Sequence, residues 1–434
     1  MALAGCAHYV AAPPHPEAFQ PAFDARRLDK PPGSRWTSGE LLAVALAQNP
    51  QVVEARAKHL TAGRAAQAAK VGPPLTLTLT AEYANSAPRW GYSAAADIPL
   101  DDGVRRQARM TNGDLQALQA WYDYVEVVWT VRLALAKACV DLRAADMEVA
   151  TAEQAADLRA QRLQRFQQRV AAGEDERTVA LAAQSEAAIA TRRLAEAQGR
   201  QAQAMATLAK ALGVSTAAAQ GVALPPPANP PPMEGIAQWR RDAALMRNDV
   251  LRALVDYDLA EAALRLEIAK QYPEVRLGPG YTYDHGVTKL PFSLSLILPP
   301  ADLNRHAIDQ AEAARTAAGR SIEAVQAGTL AGVDTAASAL TAAQRAADTG
   351  ARHELATARR VVVDTSRALR AGAADRTEDL GARAAELDAE LSVLEAERMV
   401  QGAVVDLEDS LRRLFDPAEA AVMGEALARQ GEPS

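Results

Sequence analysis

Only 4% of this 434-residue chain is aromatic although 49% is hydrophobic, and alanine supplies the difference. A core of large side chains is not expected; alanine-rich, charged, proline-poor segments favour long helices in close contact. No apolar run approaches the ~20 residues that a membrane-spanning helix needs, so strands must make any crossing. There is no basic surplus, since the net charge is −7 and the pI near 5.6, which gives no support to a nucleic-acid partner. Also missing are a glycine-rich phosphate loop, GxSxG and CxxC. The histidines at positions 8, 15, 59, 285, 306 and 353 never fall at metal-ligand spacing. Asp101-Asp102-Gly103 lacks the EF-hand pattern and reads as an acidic helix start. The expectation is no catalytic residue, no metal and no cofactor: not an enzyme.

What is present is organised around Val275 to Leu298. Val275, Leu277, Tyr281 and Tyr283 share one face of an extended run, with Arg276, Gly278, Gly280, Thr282 and Asp284 on the other. After the turn HGVTK, Phe292, Leu294, Leu296 and Leu298 alternate with Ser293, Ser295 and Ile297, completing a hairpin. An earlier copy places Leu75, Leu77, Leu79, Ala81 and Tyr83 against Thr76, Thr78, Thr80 and Glu82, followed by a weaker run from Tyr92 to Ile98. Both copies follow a helix ending in proline (AAKVGPP, IAKQYP) and precede a proline, an acidic residue and a new helix. That agreement argues for duplication.

The predicted organisation is a lipobox and extended leader over 1–36, a first repeat over 37–223, a proline-rich linker over 224–233, a second repeat over 234–416 and a frayed tail over 417–434. Thr37-Ser38-Gly39-Glu40 offers a helix N-cap. From Val104 to Ala172 no proline occurs, and a continuous helix there would span about 100 Å. Leu115, Leu118, Tyr122, Val125 and Trp129 step in coiled-coil rhythm, as do Leu163, Phe166 and Val170, and, in the second repeat, Leu380, Ala384, Leu387, Leu391 and Leu394. Gly173 and Gly372 suit helix ends where the chain turns back, and Ala301 to Leu369 forms the second long helix. Cys139 reads as a small core residue. Leu3-Ala4-Gly5-Cys6 has the form of a bacterial lipobox with Cys6 the lipid-attachment site; chance is the other reading, because no basic region or apolar run precedes it.

Strands of about ten residues with one apolar and one Thr/Ser/Gly face match a barrel with lipid outside and water inside. A small soluble sheet packed on the helices is the alternative. Four strands do not close an aqueous barrel, so chains must pool them; three copies give twelve.

The order of short helix with LLAVALAQNP, helix, hairpin, long helix, glycine turn and long helix ending in ALG, twice over, resembles the outer-membrane efflux proteins, the TolC-like channel-tunnels. The stretch RALRAGAADRTEDLGARAAELDAELSVLEAERMVQGAVVDLEDSLRRLF adds to the likeness, which covers roughly Ser38 to Phe415. The fold it implies is mainly α with a small β part: long antiparallel coiled-coil helices plus four transmembrane strands per chain, joined as a trimeric α/β barrel. It implies a lipid-anchored homotrimer in the outer membrane that extends into the periplasm. There it docks onto a periplasmic adaptor and an inner-membrane pump or exporter, as a passive export duct. The tips at Gly173 and Gly372 would form the periplasmic opening. Acidic residues six and nine positions beyond the second glycine narrow that opening in the family; here these are Glu378 and Gly381, with Asp375 and Asp379 as nearby substitutes. Charges at a helix start also simply satisfy its dipole. The competing readings are a periplasmic adaptor, which would need one helical hairpin between lipoyl-like halves, and a soluble coiled-coil scaffold, which leaves the Thr-alternating strands unexplained.

Overall fold

The computed structural model describes residues 9–431, except Pro32, Ser86, Asp101, Asp102 and Ala228. Cys6 and the Asp101-Asp102 pair thus lie outside the described residues. The leader forms a 3-10 turn (Pro16–Ala18) running into one short helix, α1 (Phe19–Asp24), with irregular chain on either side. It lies on its own chain: Arg26 donates to the carbonyls of Gln48 (2.8 Å) and Gly213 (2.6 Å), and Trp36 N–H to Ala223 O (3.1 Å).

The first repeat contains α2 (Ser38–Gln48), α3 (Pro50–Ala69), β1 (Thr76–Tyr83), β2 (Trp90–Pro99), α4 (Gly103–Ala171), α5 (Arg177–Leu212) and the single turn α6 (Thr216–Ala219). The cap read at Thr37 is a full capping box: Glu40 N–H donates to Thr37 Oγ1 and Thr37 N–H to Glu40 Oε2. The second repeat contains α7 (Ile236–Met246), α8 (Asn248–Ala269), β3 (Glu274–Asp284), β4 (Val287–Lys289), β5 (Phe292–Ile297), α9 (Arg305–Arg345), α10 (Arg352–Arg370) and α11 (Arg376–Leu411). The second long helix differs from expectation twice. It starts four residues late, because Leu303 and Asn304 adopt positive φ, and a π-helical segment, Ala346–Ala351, separates α9 from α10.

α4 runs unbroken for 69 residues, about 100 Å at the α-helical rise. Its buried seam follows Tyr124, Val128, Val131, Leu135, Ala138, Leu142 and Ala145, one face over from the predicted one. The reason is that α4 is sandwiched: it packs on α3 and α8 near the sheet and on α5 and α11 further away. Val125 and Trp129 are buried too, while Leu118 is exposed. The return helix α5 buries Ala183, Ala190, Ala197, Ala204 and Ala211, one every heptad, which allows close helix contact and a left-handed supercoil. On α11 the predicted Leu380, Ala384 and Leu387 are buried.

The tail is a correction. Residues 417–431 form a helix, α12 (Pro417–Gly431), whose Met423 is buried in the first repeat's core with Val422, Ala426 and Leu427 against it. That core gathers Trp36, Leu41, Leu42, Tyr124, Trp129, Leu208 and Leu212. The second repeat's cluster around Val333, Leu340, Val404 and Leu407 is smaller. Among the described residues no helix is long and apolar enough to cross a membrane.

Candidate functional site

The two hairpins join through β2 and β3 into one antiparallel sheet, β1-β2-β3, with β4 and β5 both on the far side of β3. β4 and β5 keep one register and are the halves of a single strand, interrupted at Leu290-Pro291. Proline has no N–H for the ladder, and Pro291 instead accepts from Gly280 N–H at 2.8 Å. Leu77 and Leu79 stand beside Ala96 and Ala94, Ala94 beside Tyr281, Ile98 beside Leu277, and Leu277 beside Leu294. One face is therefore apolar from edge to edge, yet Leu77, Leu79, Leu294 and Leu296 are each more than half exposed, at 59, 71, 59 and 52%. Among the described residues no helix covers it, so the sheet is not the helix-packed soluble sheet of the alternative reading. The other face carries Thr76, Thr78, Thr80, Ser93, Thr282, Ser293 and Ser295. Near the helices it also carries Arg276, held by Asp97 and Glu274 at 3.0 Å each. A face of this chemistry suits contact with water.

At the opposite end, Gly173 and Gly372 take φ of +77° and +73° where α4 meets α5 and α10 meets α11. Arg169 at the end of α4 ion-pairs with Asp375, so the two turns are tied together. Asp375 caps α11: its Oδ1 accepts from Glu378 N–H at 2.8 Å while Glu378 Oε2 accepts from Asp375 N–H at 3.3 Å. Asp379 is fully buried, accepts from Ser366 Oγ at 2.7 Å and pairs with Arg376 and Arg383 at 3.0 Å. Burial pushes the Asp375 and Asp379 carboxyls up, but the hydrogen bonds and arginines outweigh it and leave both below the usual range. The three predicted acidic residues and both glycines thus converge, with the carboxylates already engaged by their own chain. Gly381 faces the Arg162 guanidinium.

Two constellations went unread in the sequence. Asn49 is buried, caps α3 through Gln51 N–H (2.9 Å), and donates to Ala211 O (3.0 Å) beside Gly213. The NP and ALG motifs, 162 residues apart, are one joint. Further along α4, buried Arg132 donates to Glu408 of α11 (2.5 Å) and Glu419 of α12 (2.6 Å), tying both repeats to the tail. Nearby Cys139 packs against the first core, where burial pushes its thiol up to about 12, too high for a reactive thiolate.

The family model for outer membrane efflux proteins matches residues 41–214 and 239–411, once per repeat. The chain belongs to this family. Solved structures share the fold. An outer membrane protein, VceC from Vibrio cholerae, is 17% identical with a TM-score of 0.71, over 87% of this chain and 97% of that one. The open-state outer membrane channel MtrE of Neisseria gonorrhoeae is 16% identical at 0.70, covering 87% and 89%. The Campylobacter jejuni outer membrane channel CmeC is 12% identical at 0.72, covering 93% and 94%. No curated protein sequence matches significantly. As an outer membrane efflux protein the chain is an export channel. It is an outer membrane channel that spans into the periplasm.

Proposed function

We propose that three copies pool their strands into one closed twelve-strand barrel and serve as a passive duct, with no catalytic step, docking onto a periplasmic adaptor and an inner-membrane pump. The observation that carries this is the open sheet: β1 on one side and β4 with β5 on the other have no further strand partner among the described residues. Unpaired edges next to an apolar face are satisfied in a bilayer only by closure. The test is native mass spectrometry in mild detergent, where a trimer is expected; a soluble monomer from correctly exported full-length protein would overturn the reading.

Lipid on Cys6 belongs to the same proposal. From Arg26, fixed at the α2–α3 joint, the twenty residues back to Cys6, helical over Pro16–Asp24, reach up to ~50 Å, more than the ~30 Å that α3 spans toward the sheet. Mass spectrometry of mature protein showing an unmodified 1–6 segment would exclude it. The tips at Gly173 and Gly372 form the periplasmic opening in this reading, with Asp375, Glu378 and Asp379 in the wall of its constriction. Alanine at Asp375 and Glu378 is expected to raise single-channel conductance or weaken cation preference. Unaltered conductance, preference and divalent block would leave these residues as helix caps alone.

A further inference from the structure

We propose that the seam between copies has one fixed register, β1 of one chain against β4 and β5 of the next with Tyr83 opposite Phe292 and Thr80 opposite Ser295, an inference that rests on the trimeric reading above. Both edges are ready to pair. Ala84 N–H donates to Arg89 O at 2.7 Å, so the even-numbered residues of β1 turn their backbone toward β2, while Leu77, Leu79, Ala81 and Tyr83 turn theirs outward. At the other edge Gly280 N–H donates to Pro291 O at 2.8 Å, which leaves Phe292, Leu294 and Leu296 turned outward. The N–H that Pro291 lacks therefore falls on the β3 side, and the ladder offered to the next copy is unbroken.

Closure limits the stagger between copies. Twelve strands ~4.8 Å apart, rising ~3.3 Å per residue, tilt by ~35–45° when the total stagger is about twelve to eighteen residues. Three-fold symmetry, and the need to keep lipid face beside lipid face, leave about four or six residues per copy. The apolar band chooses between them. Straight across the sheet Thr80 is level with Ser93, Thr282 and Lys289. On β1 the lipid-side band runs from Leu75 to Tyr83, but at the far edge it runs from Leu290 to Leu298, about four residues nearer the helices. A band that stays level with the membrane while shifting by about four residues over three strand steps shifts by a little over five in the four steps to the next copy, so the even stagger is six. Six also sets Ala81 against Leu294 and Leu79 against Leu296, and it carries the aromatic rim of Tyr83, Trp90, Tyr92 and Tyr283 across the seam to Phe292. On the water side Thr80 meets Ser295 in a non-hydrogen-bonded pair, where Cα atoms approach to ~4.5 Å, within reach of a disulfide.

The full-length protein is exported as Thr80→Cys/Ser295→Cys and, for a stagger of four, as Thr80→Cys/Ser293→Cys. Each is oxidised mildly and run on a non-reducing gel beside the wild type, with native mass spectrometry in parallel. A covalent trimer is expected from the first pair and only monomers from the second, whose Cα atoms would lie ~7–8 Å apart. A covalent trimer from the second pair, or from neither although native masses show trimers, overturns the register. Native masses of monomers alone refute the trimeric reading itself, and the seam falls with it.

Discussion

Each repeat closes where its long return helix meets the break between two short helices, and the two closures use different chemistry. In the first, Gly213 at φ +74° lets backbone lie on backbone; a Cβ there would sit 2.6 Å from Gln48 O. In the second, Arg412 occupies the corresponding left-handed position at φ +49°. Its guanidinium reaches Glu126 at 2.6 Å and lies 5.2 Å over the Trp129 ring. Arg247, before α8, donates to the carbonyls of Asp409 (3.3 Å) and Ser410 at the end of α11, and grips Asp249 at 2.7 Å. The first joint shuts by direct contact, with one arginine of the leader, Arg26, on the carbonyls beside it; the second is wedged open by two. A duplicated geometry therefore survives the exchange of every residue that makes it, provided each helix end finds a partner for its last carbonyls.

The largest effect is expected at Arg132, which ties α4 to α11 and α12. Arg132→Ala leaves Glu408 and Glu419 buried without a counter-charge and should cost about 3–5 kcal/mol in denaturant unfolding followed by tryptophan fluorescence. A cost comparable to that of an exposed pair, such as Arg240 with Asp334, would mean water enters the cluster. Next, Gly213→Ala combines left-handed strain with overlap against Gln48 and should cost about 3 kcal/mol. Arg412→Gly relieves strain as it removes the pair with Glu126, so its net change should stay within about 1 kcal/mol. Equal losses at the two positions would break the contrast between the joints. Asn49→Ala should cost about 1 kcal/mol as a lost N-cap, read as a lower melting temperature.

The smallest effect concerns pH. Burial pushes the Glu419 carboxyl up, against the pull of Arg132. The folded chain thus binds a proton that the unfolded chain releases, and stability contributed by this group rises as pH falls from its raised value toward the ordinary glutamate value. Asp375, held low, behaves oppositely: its contribution is present above about pH 4 and is lost as pH falls through its depressed value. Glu419→Gln should flatten the first slope and leave the second, a comparison made by melting curves between pH 7 and 3.

The sheet, the repeats and the glycine turns were legible because period-two alternation and proline punctuation are local signals. Even the Thr37 capping box could be read from four residues. The Arg132 cluster was not, since its carboxylates come from 276 and 287 residues away and nothing local distinguishes a buried arginine from a solvated one. α12 was missed because its apolar stripe, Val422, Met423, Ala426 and Leu427, is only four residues long and follows Asp416-Pro417, which reads as a stop. The engaged state of Asp379 also escaped notice: its spacing to Arg376 and Arg383 was visible, but the burial that makes those pairs matter was not.

The heptad of alanines along α5 has a mechanical consequence. A methyl group is too small a tooth to resist displacement along the helix axis, because few atoms lose contact when it slides. Registration falls instead to polar pairs on the flank, Arg200 with Glu148 and Gln201 with Asp146 at 2.8 Å, which lie near the surface and weaken as salt screens them. Salt therefore loosens these flanking ties, while Leu208 and Leu212, buried in the first core, hold the far end of α5 in place.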